Sequence, residues 1–195
     1  MNTTWALLFL ILVTPLTHAM GHNVVGQSLS RPCATCHGQN GQSLNPAWPH
    51  LAGQHTSYLE KQLHDLKSNK TRHPDDAMAP FIMHLTDEDI ANIALFYTNQ
   101  PAPIGTHRHR KPNQHGQSLY RATCAICHGI EAKGNGLPGF PALAGQQLTY
   151  ITHQLEAFKT GERDNDPSHA MRQLTQALSP EDIYDLAYYL ASLPH

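Results

Sequence analysis

Two five-residue stretches carry chemistry that the rest of the chain does not: Cys33-Ala34-Thr35-Cys36-His37 and Cys124-Ala125-Ile126-Cys127-His128. In a Cys-x-x-Cys-His pentad each thiol can add across a haem vinyl group to form a thioether. The following histidine then lies under the ring, where its imidazole can bind iron. Together the pentads use all four cysteines of the chain. A four-cysteine zinc site can be built from two Cys-x-x-Cys pairs, but it gives no reason for a histidine directly after each. Structural disulfides suit an exported protein, yet they would need a strained ring within each pair or a cross-link between the halves. A thioredoxin-like redox motif wants a βαβ context, and none surrounds either pair. Covalent haem, one per pentad, accounts for the cysteines and the histidines alike.

Each histidine leaves one axial position on iron to be filled. Met78 lies seven residues before Leu85, and Met171 lies seven before Leu178. A thioether is a soft neutral donor, and its pairing with histidine favours ferrous iron and raises the potential. Met83 has no counterpart in the second half, so the internal match selects Met78 and Met171. His73 and His169 are the rival ligands, but they do not align with each other. A proximal histidine also needs an acceptor for its second ring N–H. The carbonyls of Pro49 and Pro141 could serve, although each proline also reads as an ordinary loop residue.

The elements that position these residues repeat with them. Gly26-Gln27-Ser28-Leu29 returns as Gly116-Gln117-Ser118-Leu119, and Leu51-Ala52-Gly53-Gln54 as Leu143-Ala144-Gly145-Gln146. The offset grows only from 90 residues at Gly26 and Gly116 to 93 at Leu85 and Leu178. That is a tandem duplication, since solenoids use shorter periods. Tyr58, Leu59, Gln62, Leu63 and Leu66 form a helical stripe, and Tyr150, Ile151, Leu155 and Phe158 do much the same. Thr86 and Ser179 cap the last helix of each half, whose inner faces are Ile90, Ile93, Ala94, Tyr97 and Ile183, Leu186, Ala187, Leu190. A short first helix is expected around Leu29 and Leu119, shortened or distorted in the first half by Pro32. No alternating run suggests a substantial sheet, so the fold class is all-α.

Residues 1–19 read as a signal peptide, with an apolar run from Trp5 to Val13 and Ala19 as the last residue removed. Residues 20–100 and 115–195 form the two domains, joined by a linker at 101–114 rich in Pro, His, Arg and Lys. The chain has 195 residues, 40% hydrophobic and 14% charged, with a formal net charge of -2, and no basic domain for nucleic acid. Halves of roughly 80 residues are marginal on protein core alone, and a haem in each supplies apolar bulk.

The chain resembles the cytochrome c4 family, dihaem class I c-type cytochromes of the bacterial periplasm. The resemblance rests on the two pentads, two Pro-x-Leu-Ala-Gly-Gln segments and the two methionines seven residues before a helix start. It covers nearly everything after the signal segment. It implies that Cys33, Cys36, Cys124 and Cys127 bond two haem c groups, with His37 and Met78, and His128 and Met171, as axial pairs. It also implies that Pro49 and Pro141 set a carbonyl near each proximal histidine. The implied function is single-electron transfer from a quinol-oxidising cytochrome complex towards a terminal oxidase, with peripheral membrane association. Similar dihaem chains serve as electron-accepting subunits of periplasmic dehydrogenases, including sulfide-oxidising flavocytochromes. With both axial sites filled and no nucleophile–base pair in view, a carrier is expected and not an enzyme. The duplicated halves are expected to pack as a pseudo-twofold pair.

Overall fold

The computed structural model describes residues 24–68, 76–105, 113–135 and 139–194. The expected signal stretch, residues 106–112 of the expected linker and the rival ligand His73 lie outside them. Among the described residues the regular structure is helical, with no strand. The first half runs through α1 (24–29), α2 (Arg31–His37), α3 (Thr56–Ser68), a 3₁₀ turn at Asp76–Met78, α4 (Ala79–Ile82) and α5 (Asp87–Thr98). The second runs through α6 (Gln114–Leu119), a π turn at Tyr120–Cys124, α7 (Ala125–His128), α8 (Leu148–Thr160), a 3₁₀ turn at Pro167–His169, α9 (Ala170–Gln176) and α10 (Pro180–Ser192).

The last helices start where the caps predict. Thr86 Oγ1 accepts from the Asp89 N–H at 3.1 Å while the Asp89 carboxylate accepts from the Thr86 N–H at 2.8 Å. Ser179 and Asp182 repeat the capping box at 3.1 and 2.8 Å. A box of this kind satisfies two helix-end donors, and loss of the cap costs about 1 kcal/mol. The predicted inner faces are buried: Ile90, Ile93, Ala94 and Tyr97 in α5, and Ile183, Leu186, Ala187 and Leu190 in α10. Each fully buried Ile or Leu contributes about 1.5–3 kcal/mol.

First and last helices of each half cross closely, and glycine makes the crossing possible. A Cβ on Gly26 would sit 2.2 Å from the Asn92 carbonyl oxygen, and one on Gly116 2.1 Å from that of Asp185. Pro32 acts as expected: the helix breaks at Ser30 and restarts as α2, with proline in its first turn. The second half lacks that proline and departs differently. Seven residues separate Gly26 from Cys33, but eight separate Gly116 from Cys124. The extra residue is absorbed in the π turn Tyr120–Cys124, the usual way in which a helix takes up one inserted residue.

The halves are docked and not loosely tethered. Pro103 and Gly105 of the connector are buried, and Gly105 lies where a Cβ would meet the Ala191 carbonyl oxygen at 2.5 Å. Gln42 Nε2 donates to the Pro101 carbonyl at 2.8 Å. Across the interface Tyr150 N–H donates to Pro46 O at 3.1 Å, and Gln147 Nε2 donates to Ser43 O at 2.9 Å. The central contacts obey a twofold exchange: Gln54 of the first half binds Ala142 of the second, and Gln146 of the second binds His50 of the first.

Candidate functional site

Each pentad closes a helix. α2 ends at His37 and α7 at His128, and the next residue, Gly38 or Gly129, takes φ +79° and donates its N–H to Ala34 O or Ala125 O. A left-handed residue at this point turns the chain sharply, and glycine adopts it without strain. The loop then returns beneath its own histidine. In the first half Leu51 and Ala52 both donate to Gly41 O, at 2.7 and 3.1 Å; in the second, Leu143 and Ala144 donate to Ala132 O, at 2.7 and 2.9 Å.

This return places a proline carbonyl against each ring. His37 Nδ1–H donates to Pro49 O at 3.0 Å, and His128 Nδ1–H donates to Pro141 O at 3.0 Å. A carbonyl only accepts, so each ring carries its proton on Nδ1 and its lone pair on Nε2. Both histidines are buried. Burial holds the His128 imidazole below its usual pKa, with the Pro141 bond opposing the shift. The result is a neutral, oriented imidazole suited to bind a metal through Nε2.

The first cysteine of each pentad sits at the edge of an apolar wall. Cys33 packs with Leu29, Leu51, Leu63 and Leu85 around the first core; Cys124 packs with Leu119, Leu143, Leu155 and Leu178 around the second. In the first half a cavity of about 280 Å³ opens beside Cys33, walled by Leu29, Leu63, Phe81, Ile82 and Ile93. Burial pushes the Cys33 and Cys124 thiols above their ordinary range. Among the described residues no three His, Cys, Asp or Glu side chains gather as a metal cluster. The two cysteine pairs therefore do not converge on one zinc site.

Met78 is half-buried and sits immediately before α4, whose Phe81 and Ile82 line that cavity. Met171 is half-buried in the first turn of α9. Its loop is held by Asp166, whose carboxylate accepts from Arg172 Nε at 2.8 Å and from the Arg172 N–H at 3.0 Å. Met83 is 54% exposed, and His169 is also exposed. Haem fits this setting: an apolar wall, a cysteine sulfur at its edge, and an imidazole fixed through Nδ1 with its Nε2 lone pair available.

Sequence reasoning passed over Gln54 and Gln146 as residues with a task, although their repetition in Leu-Ala-Gly-Gln was the available signal. It also missed Arg163, which is buried and spans the halves. The Arg163 guanidinium donates to Gln154 at 2.6 Å and Asn165 at 2.9 Å in its own half, and to Gln62 at 2.8 Å and Tyr58 at 3.1 Å across the interface. It also lies 4.5 Å from the Phe158 ring centroid. No internal repeat marks it.

The Cytochrome c family profile matches residues 25–99 and again 114–194. The chain is 35% identical over 199 residues to cytochrome c4 of Pseudomonas aeruginosa, covering 96% of each protein. It is 32% identical over 190 residues to a thiosulfate dehydrogenase electron acceptor of Stutzerimonas stutzeri, covering 90% of this chain and 87% of that one. The crystal structure of reduced recombinant cytochrome c4 from Pseudomonas stutzeri superposes with a TM-score of 0.80 at 34% identity, over 88% of this chain and 98% of that one. Two Cytochrome c domains, each with a Cys-x-x-Cys-His motif, mean two covalently bound haem c groups. The chain belongs to the cytochrome c4 family of dihaem electron carriers.

Proposed function

We propose that this carrier works in the periplasm, taking single electrons from a quinol-oxidising cytochrome complex and passing them towards a terminal oxidase. In this reading residues 20–100 and 115–195 each hold one haem. Cys33 and Cys36 bond the first through thioethers, and Cys124 and Cys127 the second. His37 with Met78 would hold the first iron, and His128 with Met171 the second. When bound, haem iron supplies the one-electron ferric–ferrous couple. The observation that carries the assignment is the repeated geometry of His37 and His128, each buried, each held through Nδ1 by a proline carbonyl 3.0 Å away.

The protein's own contribution follows from its residues. The proline carbonyls fix the tautomer and plane of each imidazole and make its Nε2 a better donor. The leucine walls would keep water from a ring bound there and would favour its less charged, ferrous state. Were His37 with Met78 and His128 with Met171 to hold the two irons, no position would be left on either for substrate, which supports a carrier and not an enzyme. Membranes containing the two complexes should reduce and reoxidise the purified protein in turn, blocked by a quinol-site inhibitor. Failure of such membranes to exchange electrons with it would overturn the route.

A second reading is favoured by the thiosulfate dehydrogenase electron acceptor among the relatives: an electron-accepting partner of a periplasmic dehydrogenase. Retention of a dehydrogenase through gel filtration of a native extract, together with reduction of the haems by that enzyme's substrate, would establish it instead.

A further inference from the structure

We propose that Gln54 and Gln146 are positioning residues for the iron ligands of the opposite half. Each terminates, across the interface, a hydrogen-bonded relay that begins at the other half's proximal histidine. This inference rests on His37 and His128 being those ligands, as argued above.

The relay can be followed atom by atom. His128 Nδ1–H donates to Pro141 O at 3.0 Å. That carbonyl belongs to the peptide group whose N–H is on Ala142, and the Ala142 N–H donates to Gln54 Oε1 at 2.9 Å. Gln54 Nε2 in turn donates to Ala142 O at 2.9 Å, so the glutamine amide grips residue 142 by both backbone groups. The mirror path runs from His37 Nδ1–H to Pro49 O, then from the His50 N–H to Gln146 Oε1 at 2.8 Å, with Gln146 Nε2 donating to His50 O at 2.9 Å. These four inter-half bonds are all buried.

Both glutamines are held ready by their own half. Gln54 Oε1 also accepts from the His55 N–H at 3.0 Å, and Gln146 Oε1 from the Gln147 N–H at 3.0 Å. The preceding glycines pin the turns: Gly53 N–H donates to Tyr97 O at 2.9 Å, and Gly145 N–H to Leu190 O at 3.0 Å. The amides are therefore aimed by the last helix of one half and received by the histidine loop of the other.

Physically, an acceptor on a peptide N–H draws its hydrogen outward and leaves the carbonyl of the same group more negative, which strengthens the next bond in the chain. A stronger bond at histidine Nδ1–H makes Nε2 a more basic ligand, and a more basic ligand favours ferric iron. Docking of one half thus lowers the potential of the haem in the other. Contacts elsewhere on the interface, such as those of Gln62 with Arg163 and Asn165, hold the halves together but touch neither proline loop.

The test is redox titration of the dihaem protein followed by NMR, with haem methyl resonances assigned through contacts to each half's cysteines. Gln54→Leu should raise the reduction equilibrium constant of the second haem by about two- to tenfold and leave the first nearly unchanged. Gln146→Leu should do the reverse, and Gln62→Leu should shift neither selectively. A shift confined to the haem of the mutated half, equal shifts in both haems, or no shift would overturn the relay. If a variant does not fold, the wild-type ferrous protein still decides. The His37 and His128 Nδ1–H protons and the amide protons of His50 and Ala142 should exchange slowly as linked sets; amides exchanging like exposed loop positions would refute the relay. A wild-type spectrum lacking histidine–methionine ligation would overturn the ligand assignment and the relay with it, whereas unmoved potentials with that spectrum intact would overturn the relay alone.

Discussion

At the scale of single residues, the proposed ligand set is divided between histidines at helix ends and methionines at helix starts. The histidines close short helices and are fixed through Nδ1; the methionines stand at the start of later helices. Exchanging sulfur for nitrogen at one iron should therefore be tolerated locally and read out as potential. Met78→His or Met171→His should lower the potential of one haem and leave the other close to its original value, because a nitrogen donor favours ferric iron more than a thioether does. The exposed Met83 should be replaceable by leucine with the sulfur-to-iron charge-transfer band of both ferric haems intact; loss of that band from one haem would move the ligand to Met83. Asp166 is the support of Met171. Its side chain is 2% exposed and pairs with Arg172, so Asp166→Ala leaves a largely enclosed cation without its partner and should destabilise the second half by about 3 kcal/mol. Thermal melting of both forms, followed at the second haem, measures this.

Among the elements, the two halves solve the same packing problem with interchanged side chains. Gly41 takes φ +77°, and a Cβ there would lie 2.6 Å from the Tyr97 ring. The matching residue of the second half is Ala132, at φ +57° and fully buried, and the residue matching Tyr97 is Leu190. The slimmer leucine accommodates the methyl that tyrosine excludes. Gly41→Ala should accordingly destabilise the first half by about 1–3 kcal/mol, and Gly41→Ala combined with Tyr97→Leu should lose less than the sum of the single changes in a denaturation cycle. Strict additivity would show that the ring is not the obstacle. Where α6 meets α10, His115 Nε2 lies 2.8 Å from Asp182 Oδ1. The Asp182 hydrogen bond raises the His115 pKa above its usual 6.5, and the same contact is the first cause of holding Asp182 down at about 2. The histidine's contribution to stability is therefore complete below 6.5 and fades as pH rises through its raised value. The aspartate's contribution is complete above 3.8 and fades as pH falls towards 2. Both groups are solvent-facing, so the effect is small; His115→Gln should flatten the alkaline side of the melting-temperature profile of the second half, and an unchanged profile would dismiss the pair.

For the whole molecule, most of the helical layout is legible in the sequence, because it depends on local rules: capping residues before acidic turns and apolar faces at helical spacing. The pentads are legible because their chemistry needs adjacent residues. What depends on the other half is not. Gln54 and Gln146 are visibly repeated, but their partners lie 88 and 96 residues away along the chain, and no pattern names a backbone group as a partner. Arg163 is unreadable for the same reason, since its oxygen acceptors come from both halves and from no motif. The π turn left a trace, the one-residue growth of the offset before Cys124, but length alone does not say how a helix absorbs it. The docked pair is thus a property of the complete chain, and it is what separates one dihaem carrier from two carriers on a tether. Pulse reduction of one haem tests that claim most directly, with the second haem followed by its own spectrum. The docked arrangement predicts a first-order equilibration between the haems whose rate is unchanged as the protein is diluted. Equilibration that slows in proportion to dilution, proceeding only by collisions between molecules, would contradict it.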